Sequence, residues 1–317
     1  MSGLRGEVLD WFDAGRVVPG REHAALRAAG LAPTRADWRA FLVRLTLWLG
    51  IVALGSAVVF FFAFNWAALG RFAKFGLVEA GIVASLVACW RLDLDSAPGK
   101  AVLLLLSLLT GALLALAGQV YQTGADAFEL FAWWALLILP WVLIGRFSAL
   151  WLVWLALLNL ALFLYFRIAF DLEALIWALF VLNGLALAGW EGAHRAGYAW
   201  LRDSWPPRLV AMASGATATA LAFQAILGSG GASALLSALV YAAWLATLHH
   251  WYRRVRPDLF MLAVGLLSLI VSVPAFLARH LLGGSGSAGY LVVGLAVIGL
   301  SAGGAIWLKS VARETAS

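Results

Sequence analysis

Apolar residues fall in long blocks separated by short polar segments. Each block runs roughly 18–22 residues, the length a helix needs to cross a hydrocarbon core about 30 Å thick. Ten such blocks predict membrane helices over 44–66, 72–90, 100–120, 127–145, 148–166, 172–190, 208–228, 232–249, 259–278 and 288–308, numbered helices 1 to 10 in chain order. The expected fold class is all-α, a polytopic membrane helix bundle. Local signals place several helix ends. Thr34 followed by Asp37 is a capping-box pattern that starts helix 1. Asp126 followed by Glu129 suits the start of helix 4, and Gly124 suits a left-handed residue after helix 3. Pro140 and Pro274 lie inside helices 4 and 9 and are expected to kink them.

This pattern divides the chain into four parts. Residues 1–41 form an amphipathic helical head in which Leu4, Val8, Trp11 and Phe12 recur at helical spacing before Gly15. Residues 42–190 form a first membrane module, helices 1–6. The loop 191–207, EGAHRAGYAWLRDSWPP, leads to a second module over 208–317, helices 7–10. No internal repeat supports an inverted-repeat transporter.

Composition agrees with the pattern. Hydrophobic residues make up 64% of the 317 and charged residues 12%, against about a quarter charged in a soluble domain. Of the 22 Lys and Arg, all but Arg71, Lys74, Arg167 and Arg279 fall on the side of the N-terminus. The positive-inside rule then makes both termini cytoplasmic. The net charge of +6 reads as a topology signal that also favours anionic lipid headgroups, so no nucleic-acid partner is expected. The polar, arginine-dotted N-terminus does not read as a cleavable signal peptide. Cys89 has no second cysteine to pair with, and the five histidines form no cluster with acids at ligand spacing. Neither a metal site nor a cofactor is expected.

Ionisable and amide groups inside the blocks are the next candidates. Lys74 and Glu79 share helix 2 but point about 140° apart. Glu79 is the deeper of the two and should face the bundle, be protonated, or find a cation or amide partner. Asn159 and Asn183 both fall near the midplane and suit a hydrogen bond across antiparallel helices 5 and 6. Ala211, Gly215 and Thr219 on helix 7, and the Gly299–Gly303 pair on helix 10, mark close helix contacts, within the chain or in a homodimer.

Polar groups collect most densely at the outer ends of helices 1–4. The stretch GQVYQTGADAFELFAWW supplies Gln119, Tyr121, Gln122, Asp126 and Glu129, and the hairpin before it supplies Asn65, Lys74 and the more deeply placed Glu79. Converging amides, acids and cations suit a small polar molecule or a lipid headgroup. Capping and the aromatic belt give an equally complete local account.

The tryptophan and glycine of the head (Trp11, Gly15), the Asn65-Trp66 end of helix 1, Lys74 and GQVYQTGADAFELFAWW together resemble bacterial membrane proteins grouped as domain of unknown function 2157. The resemblance covers about residues 1–165. It implies a multi-pass protein of the bacterial cytoplasmic membrane and no particular reaction. The leading functional expectation is a non-enzymatic protein that binds or transports a small polar molecule or lipid near the outer leaflet. The alternative is a structural or accessory subunit of a larger membrane complex. A transferase acting on lipid-linked substrates is weaker, because no histidine–acid or paired-acid constellation supports acid–base chemistry.

Overall fold

A computed structural model describes residues 11, 14–16, 20, 21, 24, 26, 27, 33–65, 70–201, 203–228, 230–282 and 286–314. Most of the expected helical head lies outside these residues. The described residues hold no strand and ten helices long and apolar enough to cross a membrane. They are α1 (Arg35–Asn65), α2 (Arg71–Arg91), α3 (Ala97–Tyr121), α4 (Ala127–Ile144), α5 (Ser148–Ala169), α6 (Leu172–Arg195), α7 (Trp205–Leu227), α8 (Ala232–His250), α9 (Leu259–Leu281) and α10 (Gly286–Glu314). Each coincides with one expected helix, with α1 starting earlier and α6 and α10 running later. The chain divides into two compact units, 1–123 and 124–317.

In the first unit, α1 and α2 both lie against α3. The Thr34–Asp37 capping box forms as expected: the Thr34 amide donates to Asp37 Oδ2 at 2.8 Å and the Asp37 amide to Thr34 Oγ1 at 3.2 Å. Ser96 caps α3 by accepting from the Gly99 amide at 3.2 Å, with Pro98 in the first turn. A Cβ on Gly99 would stand 2.2 Å from the Asp93 carbonyl oxygen, so this tight entry requires glycine. At the far end Gln122 itself takes the left-handed conformation, φ 46° and ψ 49°, and Gly124 follows at φ +66°.

In the second unit, α7 is the central helix and contacts α5, α6, α8 and α9, while α10 lies on α9. The small-residue face of α7 serves these contacts. Ala211 is buried, Gly215 sits against Val264 and Trp244, and the Thr219 and Ser268 hydroxyls hydrogen-bond at 2.8 Å. Tyr241 extends that link to Ser268 at 2.9 Å and Ser272 at 2.8 Å. On α10 the close approach within the chain falls at Gly304. A Cβ on Gly299 or Gly303 would meet nothing within 4 Å, whereas one on Gly304 would meet Leu266 at 2.5 Å. Gly299 and Gly303 instead line an open groove with residues of α8 and α9.

Asn159 and Asn183 join α5 to α6 reciprocally. Asn183 Nδ2 donates to Asn159 Oδ1 at 2.7 Å, and Asn159 Nδ2 to Asn183 Oδ1 at 3.2 Å. Each amide also donates to its own helix, to Leu179 and Leu155 carbonyls at 2.8 Å. All four side-chain N–H bonds expected of a buried amide pair in lipid are thereby engaged.

Candidate functional site

The connection between α6 and α7 lies at the end of the second unit where α8 also finishes, and it is shorter than the expected 191–207 loop: α6 runs on to Arg195 and α7 begins at Trp205. Gly197, at φ +87°, turns the chain after α6, and the Pro206-Pro207 pair starts α7. One face of α6 carries Gly184, Leu187, Ala188, Glu191, Gly192 and Arg195 at helical spacing. This face borders a groove of about 290 Å³ whose opposite wall is Trp244, Thr247, Leu248, Trp251 and Tyr252. Ser214 of α7 also lines it and accepts from Trp244 Nε1 at 3.0 Å. Glycine and alanine on α6 keep that wall thin, which is what leaves the space.

The charged residues lining the groove, Glu191 and Arg195, both lie in the last turns of α6. The buried Glu191 carboxylate accepts both contacts from Arg256 Nη1, at 2.9 and 3.0 Å, the Tyr252 hydroxyl at 2.9 Å and Trp251 Nε1 at 3.4 Å. A buried carboxylate is tolerated only when paired and hydrogen-bonded, and here it is both. Trp251 and Tyr252 belong to a π-helical turn, Trp251–Val255, which continues α8, and Arg256 caps its end; such turns recur at functional sites. The Arg195 guanidinium lies over the Trp251 ring, 4.0 Å from its centroid. Arg195, Arg256 and Glu191 together carry a formal charge of +1 at the mouth of an apolar groove.

Two neighbouring charge pairs form beside it. Arg208 pairs with Asp258 through Nε at 3.2 Å and Nη2 at 3.1 Å, and Asp258 also caps α9 by accepting from the Phe260 amide at 2.9 Å. Arg253 pairs with Glu314.

The residues singled out from sequence are distributed over both units. Lys74 is buried, 7% exposed, at the start of α2. One residue on, the Phe75 ring meets Tyr121 with centroids 5.7 Å apart. Glu79, Gln119 and Gln122 are exposed and, among the described residues, make no side-chain hydrogen bond. Within its own unit α2 turns Lys74 and Val78 toward α3 and leaves the adjacent face, with Glu79, exposed. Asn65 ends α1. Asp126 occupies the N-cap position of α4 with Glu129 in the first turn, but its side chain makes no capping hydrogen bond, correcting that expectation.

Sequence reasoning missed Glu191, Arg195, Trp251, Tyr252 and Arg256. The arginines count toward topology, and Glu191 reads as the first residue of the 191–207 loop. A usable signal was present: three acids, Glu191, Asp258 and Glu314, lie at the arginine-rich ends of apolar blocks, where each finds a guanidinium.

No curated protein and no solved structure matches the chain. A family match reaches through α1–α4 to the first turn of α5 and stops short of the α6–α8 groove. The N-terminal half of the chain, residues 9–151, matches the family described as Predicted membrane protein (DUF2157).

Proposed function

We propose that this multi-pass membrane protein binds an anionic amphiphile, a lipid with a phosphate headgroup, in the α6–α8 groove. The observation that carries the reading is Arg195. Its guanidinium is held on Trp251 at the mouth of an apolar groove, and the Glu191 carboxylate four residues before it on α6 is already engaged by Arg256. An acyl chain lies along Gly184, Leu187, Ala188 and Leu248, and the phosphate meets Arg195 where the helix leaves the bilayer. Arginine matches phosphate bidentately. By the distribution of Lys and Arg this is the cytoplasmic leaflet. The test is native mass spectrometry of the full chain released from nanodiscs of mixed phosphatidylglycerol and phosphatidylcholine. Preferential retention of phosphatidylglycerol, lost in Arg195→Leu, supports the reading. Equal retention of both lipids by the parent protein overturns it.

A second reading keeps the outer-leaflet residues, favoured by the burial of the Lys74 ammonium beside the Phe75–Tyr121 contact. In this reading Lys74, with Asn65, Gln119 and Gln122, holds a small polar or zwitterionic group. Alanine at Lys74 and at Gln122 then abolishes binding while the α6–α8 groove keeps its lipid. The accessory-subunit alternative is favoured by Glu79, an exposed carboxyl eight residues into α2. A cation-bearing helix from another polypeptide would satisfy it.

A further inference from the structure

A second cavity, of about 350 Å³, lies on a different face of α6, between α5 and the loop after α6. Four tryptophans line it: Trp151 and Trp154 from the first turns of α5, Trp190 from the last turns of α6 and Trp200 from the loop. Tyr198 joins them, and the rest of the lining is Leu, Ala and Gly. The rings stand at steep angles rather than in one layer. Trp200 lies within 22° of the Trp151 plane, whereas Trp190 crosses Trp200 at 68° and Trp154 crosses Trp151 at 79°. Centroid separations of 5.7 to 6.5 Å hold the four in one cluster. The Ser148 hydroxyl donates to the Trp200 carbonyl at 3.2 Å and ties the loop to α5. The box is thus fixed by the tertiary fold.

Tryptophans near helix ends commonly serve the membrane–water belt, with each indole N–H directed to headgroups or water. Three of these do not. Trp154 Nε1 donates to the Ala135 carbonyl at 3.0 Å, and Trp151 Nε1 and Trp190 Nε1 have essentially no accessible surface. With those N–H groups withdrawn, the three rings present only carbon to the cavity. Ring carbon attracts a cation, because the π face carries the negative part of the ring quadrupole. Among the described residues no Lys or Arg lines the cavity to repel a cation, and no Asp or Glu lines it to hold an inorganic ion. The Tyr198 phenol is the one side-chain oxygen there. An ammonium with three N–H donors would go unsatisfied in such a lining, whereas a quaternary nitrogen has no N–H to satisfy. Tyr198 is 55% exposed, and a Cβ on Gly189 would meet nothing within 4 Å, so the cavity is open to a ligand.

We infer that this cavity is an aromatic cage for a trimethylammonium group, carried by a small soluble quaternary amine or by a lipid headgroup. The methyls lie against the indole rings, within the ~6 Å of a ring centroid at which a cation is attracted. The substituent on nitrogen leaves past Tyr198 and Gly189. No bond is made or broken. The site is independent of the proposed lipid groove, and Arg195→Leu leaves it intact.

The test titrates the purified full chain calorimetrically, in nanodiscs of phosphatidylglycerol alone, with protein-free discs as the blank. Three probes are used. Choline carries the quaternary cation, dimethylbutanol replaces its nitrogen by carbon, and ethanolamine keeps a cation with three N–H donors. Choline binds at least tenfold more tightly than either of the others. Trp200→Leu, which keeps apolar bulk and removes the π face, weakens choline at least fivefold and leaves dimethylbutanol within twofold. Trp200→Phe recovers part of the loss. Dimethylbutanol binding as tightly as choline makes the cavity merely apolar and overturns the inference. Ethanolamine matching choline overturns it too, as does a choline affinity untouched in a folded Trp200→Leu. If that variant fails to fold, Trp200→Phe and the three-probe comparison still decide. Discs containing phosphatidylcholine then identify the carrier. Choline displaced by the lipid supports a cage for a headgroup, and choline affinity unchanged supports a cage for the soluble amine.

Discussion

Neutralising Glu191 separates stability from ligand affinity, because the two should move in opposite directions. Breaking a buried ion pair by removing one partner costs about 3–5 kcal/mol. Here Arg256 keeps a quarter of its side chain in contact with solvent while Glu191 keeps almost none. Glu191→Gln preserves an acceptor for Tyr252 and strands only the better-solvated partner, so the expected loss is about 2 kcal/mol. Arg256→Met strands the buried carboxylate with only its Tyr252 and Trp251 donors and costs about 3 kcal/mol. The double variant strands neither charge and returns to within about 1 kcal/mol of the parent, giving a coupling of about 4 kcal/mol. Equilibrium unfolding in mixed micelles measures all four corners of the cycle. Meanwhile Glu191→Gln raises the formal charge of the groove mouth from +1 to +2. That strengthens binding of a phosphate headgroup by about 1 kcal/mol, near fivefold, at the effective dielectric of a protein surface. A coupling below about 0.5 kcal/mol would refute the account of the ion pair. Weaker phosphatidylglycerol retention by a folded Glu191→Gln would refute the account of the groove.

Three further outcomes follow from the geometry. Asn183→Leu leaves Asn159 half-satisfied and costs about 1–2 kcal/mol, whereas Asn159→Leu/Asn183→Leu recovers most of it; additive losses in the same unfolding assay would mean the reciprocal bonds carry nothing. Gln122→Gly relieves a left-handed residue and stabilises by about 0.5–1 kcal/mol, while Gln122→Val destabilises by about 1 kcal/mol or more, read as opposite shifts in Tm. Gly99→Ala drives a Cβ into the Asp93 carbonyl, which is backbone and cannot rotate away. It costs about 2–3 kcal/mol and lowers expression of folded protein in membranes.

What could be read from sequence was set by length and depth. Ten apolar runs long enough to span gave ten helices, because hydropathy over about 20 residues has few other outcomes in a membrane. Asn159 and Asn183 were also legible, since equal distances from opposite ends of adjacent helices put both at one depth. The Thr34–Asp37 box is local and formed as read. Rotation about each helix axis was not legible. Glu79 is exposed and Lys74 buried because of which face of α2 meets α3, and no periodicity in so apolar a helix announces that face. Glu191 and Arg256 meet across 65 residues only because α6 and α8 both border α7. Gly299 and Gly303 matched a contact motif, yet the chain makes its close approach one residue further on, at Gly304.

The widened turn at Trp251–Val255 works as a register device. In a regular helix, residues 251 and 256 would point about 140° apart. Here the Arg256 amide bonds the Trp251 carbonyl at 2.9 Å, closing a loop one residue larger than the α-helical one. That rephasing lets Trp251, Tyr252 and Arg256 address a single carboxylate on a neighbouring helix. Deleting any one residue between 252 and 255 would restore ordinary winding and rotate the chain beyond it. The donors that remain would then no longer converge on Glu191. The charge balance of the groove is thus encoded in chain length at this turn as much as in the identity of its residues.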